Sequence, residues 1–326
     1  MATAFITGGT GFLGANLVHA LIARGDRVVA IHRATSDTRR LAKSGAELVV
    51  CDLDDVDALT RAIPEGVDVV YHVAGDLSWW RHHAERQRRT NVEGTRHVVE
   101  AARRRGAKRF VHTSSIVAYG MSARTVREDT PSNAEASGIG YLRTKWQGER
   151  EVKTGIESGL PAVIMNPANI IGPYDITGWA RLILLMDKGK LLGAPPGRSS
   201  FCHATEVVRA HITAATRGRV GDNYLLGGTD ASYVELGAAI ARHLGRKPPR
   251  AVPAAILRAF GVANDMVSFF TGKEADITRQ NASVFCRDVL CDSTKAMREL
   301  DYQPRTLDEM VRDSVDWLRS AGLLRA

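Results

Sequence analysis

Along the first 170 or so residues, short unbroken apolar runs alternate with longer stretches in which apolar side chains recur every three or four positions. The runs Thr3–Thr7, Arg27–His32, Glu47–Cys51, Val67–His72, Phe110–Thr113 and Ala162–Asn166 are rich in Val, Ile and Phe, the pattern of strands buried on both faces. Between them, Leu13–Arg24, Val56–Ala62, Ala84–Arg105 and Tyr141–Ser158 carry a helical period. Strands that alternate with helices predict an α/β fold, a doubly wound parallel sheet covered on both faces. Right-handed crossovers then bring the C-terminal ends of the strands to one edge, where ligands bind.

Beyond Pro173 the rhythm changes. Helical patterns at Trp179–Lys188, Thr205–Thr216, Ser232–His243, Pro253–Gly261 and Thr306–Ser320 predominate, with short strands at Phe201–His203 and Tyr224–Leu226. Loops are expected at Gly193–Gly197 and Lys247–Pro253, where Pro and Gly cluster. The expected division is a nucleotide-binding domain over 1–172, to which the chain returns around 201–228, and a smaller, mainly helical lobe over 173–326.

The turn TGGTGFLG, Thr7 to Gly14, joins the first strand to the first helix, the context of a dinucleotide-binding Rossmann turn. Gly8 permits the tight turn, Gly11 lets backbone approach a pyrophosphate, and Gly14 lets helix and strand pack closely. Thr10, Phe12 and Leu13 complete the loop and the helix start, whose N–H groups suit an anion. The second strand ends in HRATSD, with His32 and Arg33 and no acid before Asp37. A guanidinium there pairs with a 2′-phosphate, which favours NADP(H) over NAD(H). Ser36, Arg39 and Arg40 are secondary candidates for that phosphate. Asp52 and Leu53 follow the third strand on the adenine side; Asp54 is equally suited to capping the next helix. Ala74 and Gly75 are small enough to let the cofactor pass the fourth strand.

Tyr141 and Lys145 lie one helical turn apart and project from one face. An ammonium beside a phenol favours the phenolate, so the pair reads as a proton donor and the group that tunes it. Ser114 and Ser115, just after Thr113 at the end of the fifth strand, offer a hydroxyl to hold a substrate oxygen. Trp79 and Trp80 supply a flat apolar wall or core packing, and Phe260, Met266, Phe269 and Phe270 either continue that wall or pack the lobe.

These pieces, with HVAG, NVEGT at Asn91–Thr95, NPANIIGP at Asn166–Pro173, FCHATEVVRAHI and DSTKAMRELDYQP, resemble the extended short-chain dehydrogenases/reductases. The resemblance spans residues 3 to about 304 and leans to the dihydroflavonol-reductase-like branch. It implies Tyr141 as general acid/base, Lys145 as its partner and ribose anchor, and Ser115 in preference to Ser114 as the serine of the centre. It further implies Pro167 and Ile170 beside the nicotinamide and Asn169 as an amide contact to substrate or cofactor. Many nucleotide-sugar members have arginine where this chain has Asn166, which turns the expectation away from such substrates. The expected activity is NADP-dependent reduction of a ketone or aldehyde, or oxidation of the alcohol, by hydride transfer. The alternatives are a nucleotide-diphosphate-sugar epimerase or dehydratase with a retained NAD(P), and a non-catalytic NADP sensor. An epimerase requires a diphosphate clamp, for which Arg181, Lys188, Arg198, Arg209 and Arg279 are candidates. The helices Ala84–Arg105 and Tyr141–Ser158 resemble those through which the family pairs its subunits, so a homodimer is expected.

Composition adds few constraints. The net charge of +8 is concentrated in RHHAERQRR and ARRRGAKR, without the interleaved aromatics of a base-stacking platform, so no nucleic-acid partner is expected. No apolar run reaches the ~20 residues of a membrane span. The four scattered cysteines form no metal or disulfide pattern, and the chain opens on a strand without a basic leader, so a cytoplasmic, metal-free protein is expected.

Overall fold

A computed structural model describes residues 1–326 except 192, 273, 274, 276 and 326. Its strands are β1 (Thr3–Thr7), β2 (Arg27–His32), β3 (Glu47–Val50), β4 (Val69–His72), β5 (Phe110–Thr113), β6 (Thr125–Val126), β7 (Ala162–Pro167), β8 (Asn169–Ile171), β9 (Arg198–His203), β10 (Asn223–Leu226), β11 (Thr229–Ser232) and β12 (Asp288–Cys291). The helices are α1 (Phe12–Ala23), α2 (Val56–Ala62), α3 (Ala84–Arg88), α4 (Gly94–Arg104), α5 (Gly140–Glu157), α6 (Ala180–Asp187), α7 (Ala204–Arg217), α8 (Tyr233–Leu244), α9 (Ala254–Thr271), α10 (Arg279–Phe285), α11 (Thr294–Leu300) and α12 (Leu307–Ser320).

Seven strands form one parallel sheet in the order β10-β7-β5-β4-β1-β2-β3. Successive residues of β1 serve opposite faces: Ala4 and Ile6 enter a core with α1, α7 and α11, while Phe5 enters another with α2, α4 and α5. Burial on both faces explains why these strands read as unbroken apolar runs. The chain winds outward from β1 in one direction and from β4 in the other, so the switch point lies between them. The glycine turn follows β1 at that point. A third core joins α6, α8 and α12 through Ile183, Leu236, Ile240, Met310 and Val315. A smaller sheet, β11-β9-β12-β6 with β8 on β9, connects this part to the rest.

Three local expectations change. The segment Ala84–Arg105 is not one helix: a π-helical turn, Arg89–Glu93, separates α3 from α4 and sets Asn91 inside. The helix expected over Pro253–Gly261 runs on to Thr271, because Gly261 gives close approach instead of a stop: a Cβ there would sit 2.9 Å from the Thr278 carbonyl. Asp54 does not cap α2: Asp55 does, accepting from the Asp57 and Ala58 amides at 3.0 and 2.8 Å, while Asp54 pairs with Arg89.

Candidate functional site

The glycine turn is shaped by exclusion. Gly8 has φ +72°, and a Cβ on it would lie 2.6 Å from the Ala74 nitrogen; a Cβ on Gly14 would collide with the Gly8 carbonyl. Gly11 is under no such pressure, its nearest neighbour being 3.3 Å away, and it is exposed. It caps α1 without a side-chain bond, and the first turn of α1 holds no acid. The helix therefore presents unneutralised N–H groups where a phosphate fits.

Arg33 is exposed and makes no ion pair among the described residues. Of the other candidates of that loop, Arg39 and Arg40 are engaged and the Ser36 hydroxyl makes no hydrogen bond among the described residues. Arg39 holds Asp37 through bonds of 2.9 and 2.7 Å, and Arg40 donates to the Tyr174 carbonyl at 3.0 Å. That Arg39 guanidinium holds the Asp37 carboxyl far below the usual carboxylate range. His32 is half-buried, its Nδ1 3.0 Å from the Arg33 carbonyl. Asp52 is exposed, and Leu53 packs over Gly94.

A buried relay fixes the loop at Ala74. Thr95 Oγ1 donates to the Asn91 carbonyl at 2.8 Å and so accepts from His72 Nε2 at 2.9 Å. His72 Nδ1 then accepts from Thr7 Oγ1 at 2.7 Å, which leaves that hydroxyl to accept the Ala74 amide at 3.2 Å. Burial pushes His72 down to about 3, so the ring is neutral. Asn91 continues the support: its Oδ1 accepts the Asp76 amide at 2.7 Å, and its Nδ2 donates to the Asp76 carbonyl at 2.9 Å. Only the phrase NVEGT signalled Asn91; the π turn explains why no periodicity could.

Beyond this loop lie Tyr141 and Lys145 on α5, both buried. Lys145 Nζ donates to the Thr113 carbonyl at 3.1 Å, and a Cβ at Gly75 would be 3.3 Å from it. Burial lowers Lys145 to about 8, against a smaller raising effect of Glu149. Burial raises Tyr141 to about 12; a hydrogen bond from Ser115 lowers it and the Asp76 charge raises it. Burial, with Ser115 opposing it, thus sets this phenol, in place of the Lys145 charge expected above. Ser115 is otherwise loosely held, at 3.4 Å from both the Pro167 carbonyl and the Val117 amide. Ser114 is buried with no hydrogen-bond partner for its hydroxyl and is not linked to Tyr141.

Trp79 stands edge-on to Tyr141 at 5.0 Å, and Phe285 lies 6.3 Å from Trp79. Phe285 in turn touches Tyr233 and Trp179, an aromatic wall that sequence periodicity left invisible because it is built from four elements. Trp80 turns away, packed on His82 and His83. Asn169 is partly committed: its Nδ2 donates to Ser199 Oγ at 2.6 Å and the Ser200 carbonyl at 2.9 Å. Ile170, on β8, is half-buried, and Pro167 ends β7. Asn166 donates to Glu149 and accepts from Asn223 at 2.8 Å, so this buried carboxylate is met by amides. Phe260, Met266, Phe269 and Phe270 neither line this site nor pack the lobe; all are exposed. The five clamp candidates are exposed too, and Arg209 is paired with Glu206.

Residues 4–227 match the model of the NAD dependent epimerase/dehydratase family. The chain is 32% identical to sterol demethylase protein B of Methylococcus capsulatus, over 99% of this chain and 100% of that protein. It is 31% identical to a 4-hydroxy-2-methyl-3-oxo-4-farnesyl-3,4-dihydroquinoline-1-oxide ketoreductase of Stigmatella aurantiaca, over 98% and 96%. Among solved structures it is similar to gox2253, with TM-score 0.85, 31% identity and both chains covered entirely.

Proposed function

Since the chain belongs to the NAD dependent epimerase/dehydratase family and is an enzyme of the extended short-chain oxidoreductase type, we propose that it reduces an apolar ketone or aldehyde with NADPH, or oxidises the corresponding alcohol. The observation that carries this reading is Tyr141, buried, linked to Ser115, one helical turn from Lys145 and faced by the Trp79 ring.

In this reading Gly8, Thr10, Gly11, Phe12 and Leu13 hold the pyrophosphate, and His32 and Arg33 face the 2′-phosphate. Asp52 and Leu53 hold the adenine; Ala74, Gly75, Thr113, Pro167 and Ile170 line the nicotinamide end. The first 172 residues and the return over 201–228 would thus carry the cofactor, with the remainder closing over the substrate. When bound, the nicotinamide supplies or accepts the hydride. Ser115 positions the substrate oxygen, and Tyr141, protonated at neutral pH because burial raises it, delivers a proton to that oxygen. Lys145, lowered to about 8, holds or releases its own proton with little change in free energy near that pH. Trp79 and Asn169 bound the substrate, with Trp80 behind. The outer faces of α3, α4 and α5 are the subunit contact of a homodimer.

A panel of aromatic and aliphatic carbonyl compounds, followed at the nicotinamide absorbance with NADPH and with NADH, tests the reading. Steady oxidation of NADPH supports it. A tightly retained cofactor with no net consumption, and turnover of a nucleotide sugar, would overturn it in favour of an epimerase.

A further inference from the structure

Helix α9 is built inside out. Its inward stripe is limited to Leu257, Gly261 and Ser268, and Gly261 packs closely on α10. Its outer face carries Ile256, Phe260, Val262, Met266, Val267, Phe269 and Phe270, half of the fourteen exposed large hydrophobics among the described residues. Phe270 is 84% exposed. Scattered apolar side chains need no explanation, but one contiguous face of this kind marks an interaction surface.

Cations without partners border the face. Arg258 lies within it, Lys247 and Arg250 precede the helix, and Arg279 follows it; all four are exposed and make no side-chain ion pair among the described residues. Arg81 is a fifth, placed beside the helix end by the neighbouring His82 ring, which lies 6.0 Å from Phe269. The single acid of the helix, Asp265, is half-buried and accepts the Arg279 amide at 3.4 Å. No helix among the described residues is long and apolar enough to cross a membrane.

We propose that α9 seats the protein on an anionic lipid surface, its aromatic and aliphatic face entering the headgroup–acyl boundary while Arg81, Arg250, Arg258 and Arg279 meet lipid phosphates. A second copy of the chain fits less well. A two-fold contact brings the face against itself and sets unpaired arginines against one another, with Asp265 the one acid the described residues of the helix offer to receive them. The docking is independent of the carbonyl-reductase reading, because neither α9 nor its cations belong to the site described above.

The test is co-sedimentation of the full chain with phosphatidylcholine vesicles, with and without phosphatidylglycerol. The protein is expected to pellet with the anionic vesicles, less so as salt is raised. In the double variant Phe260→Glu/Phe270→Glu the bound fraction should fall about tenfold, and in Arg258→Glu/Arg279→Glu severalfold, with melting midpoints unchanged. Wild-type protein that stays in the supernatant with anionic vesicles overturns the proposal, as does binding that neither variant weakens. Light scattering covers the remaining occupant: a dimer that the phenylalanine variant splits, with no vesicle binding, assigns the face to a second copy. Should the phenylalanine variant misfold, the arginine variant and the salt dependence of the wild type decide alone.

Discussion

Acid should destabilise this fold well before its carboxylates titrate. His72, His112 and His211 are buried around the ends of β4 and β5, with His72 and His112 stacked at 5.2 Å. Burial lowers His72 to about 3 and His211 to about 4, and it drives His112 down as well. His211 Nδ1–H donates to the Val207 carbonyl at 2.7 Å, and Nε2 accepts from Thr113 Oγ1 at 3.0 Å, an arrangement that needs the neutral ring. In the unfolded chain each histidine titrates near ~6.5. Between that value and the folded one the unfolded state binds more protons, so stability falls as pH falls. From about pH 7.5 to about pH 5.5 each ring costs on the order of 1 kcal/mol, hence a few kcal/mol for the three together. The downward-shifted carboxyls such as Asp68, Glu100 and Asp308 stay ionised over this window, and Lys145, at about 8, is largely protonated in both states. Urea unfolding at the two pH values measures the loss. His112, which has no hydrogen-bond partner for either ring nitrogen, can be replaced by leucine, and His112→Leu should remove about a third of the loss. Equal stability at the two pH values, to within about 1 kcal/mol, would refute the reasoning.

The glycines of the turn should separate by role. Gly14→Ala, with no room for a Cβ, should cost about 1–3 kcal/mol in urea unfolding, whereas Gly11→Ala should fold almost normally yet weaken NADPH binding about tenfold. Normal binding by Gly11→Ala would show that the turn is only a bend. Arg33→Asp should reverse the preference for NADPH over NADH in kcat/KM; an unchanged preference assigns the 2′-phosphate elsewhere. Trp79→Ala, which removes the ring facing Tyr141, should raise KM for an apolar carbonyl about tenfold and leave NADPH binding intact, and an unchanged KM would remove Trp79 from the substrate wall.

Much of the sheet could be read from the chain because its strands are buried on both faces. β1, β2, β5 and β7 begin where the apolar runs begin, since their apolar residues pack against helices on one face or the other. The short strands β6, β8, β11 and β12 escaped notice: TV, NII, TDAS and DVLC are too short to show a period. The break at Asn91 was hidden because a π turn adds a residue without altering composition. α9 misled in the opposite sense: its phenylalanines suggested core or pocket, but the inward face belongs to Leu257, Gly261 and Ser268. At the site, Tyr141 and Lys145 could be paired, not from their spacing alone, which is common in helices, but because the glycine turn, Asp52–Leu53 and the serines after the fifth strand precede them in order. The relay Thr7–His72–Thr95 could not, because it joins β1, β4 and α4 across the fold.

The central claim is that Tyr141 transfers the proton to a carbonyl oxygen at an NADPH site. The most direct measurement compares wild type with Tyr141→Phe for NADPH affinity by fluorescence titration and for carbonyl-dependent NADPH oxidation. The expected result is unchanged NADPH affinity with kcat lower by about 10²–10⁴, the range for a positioned acid. Turnover by the Tyr141→Phe variant at the wild-type rate would contradict it.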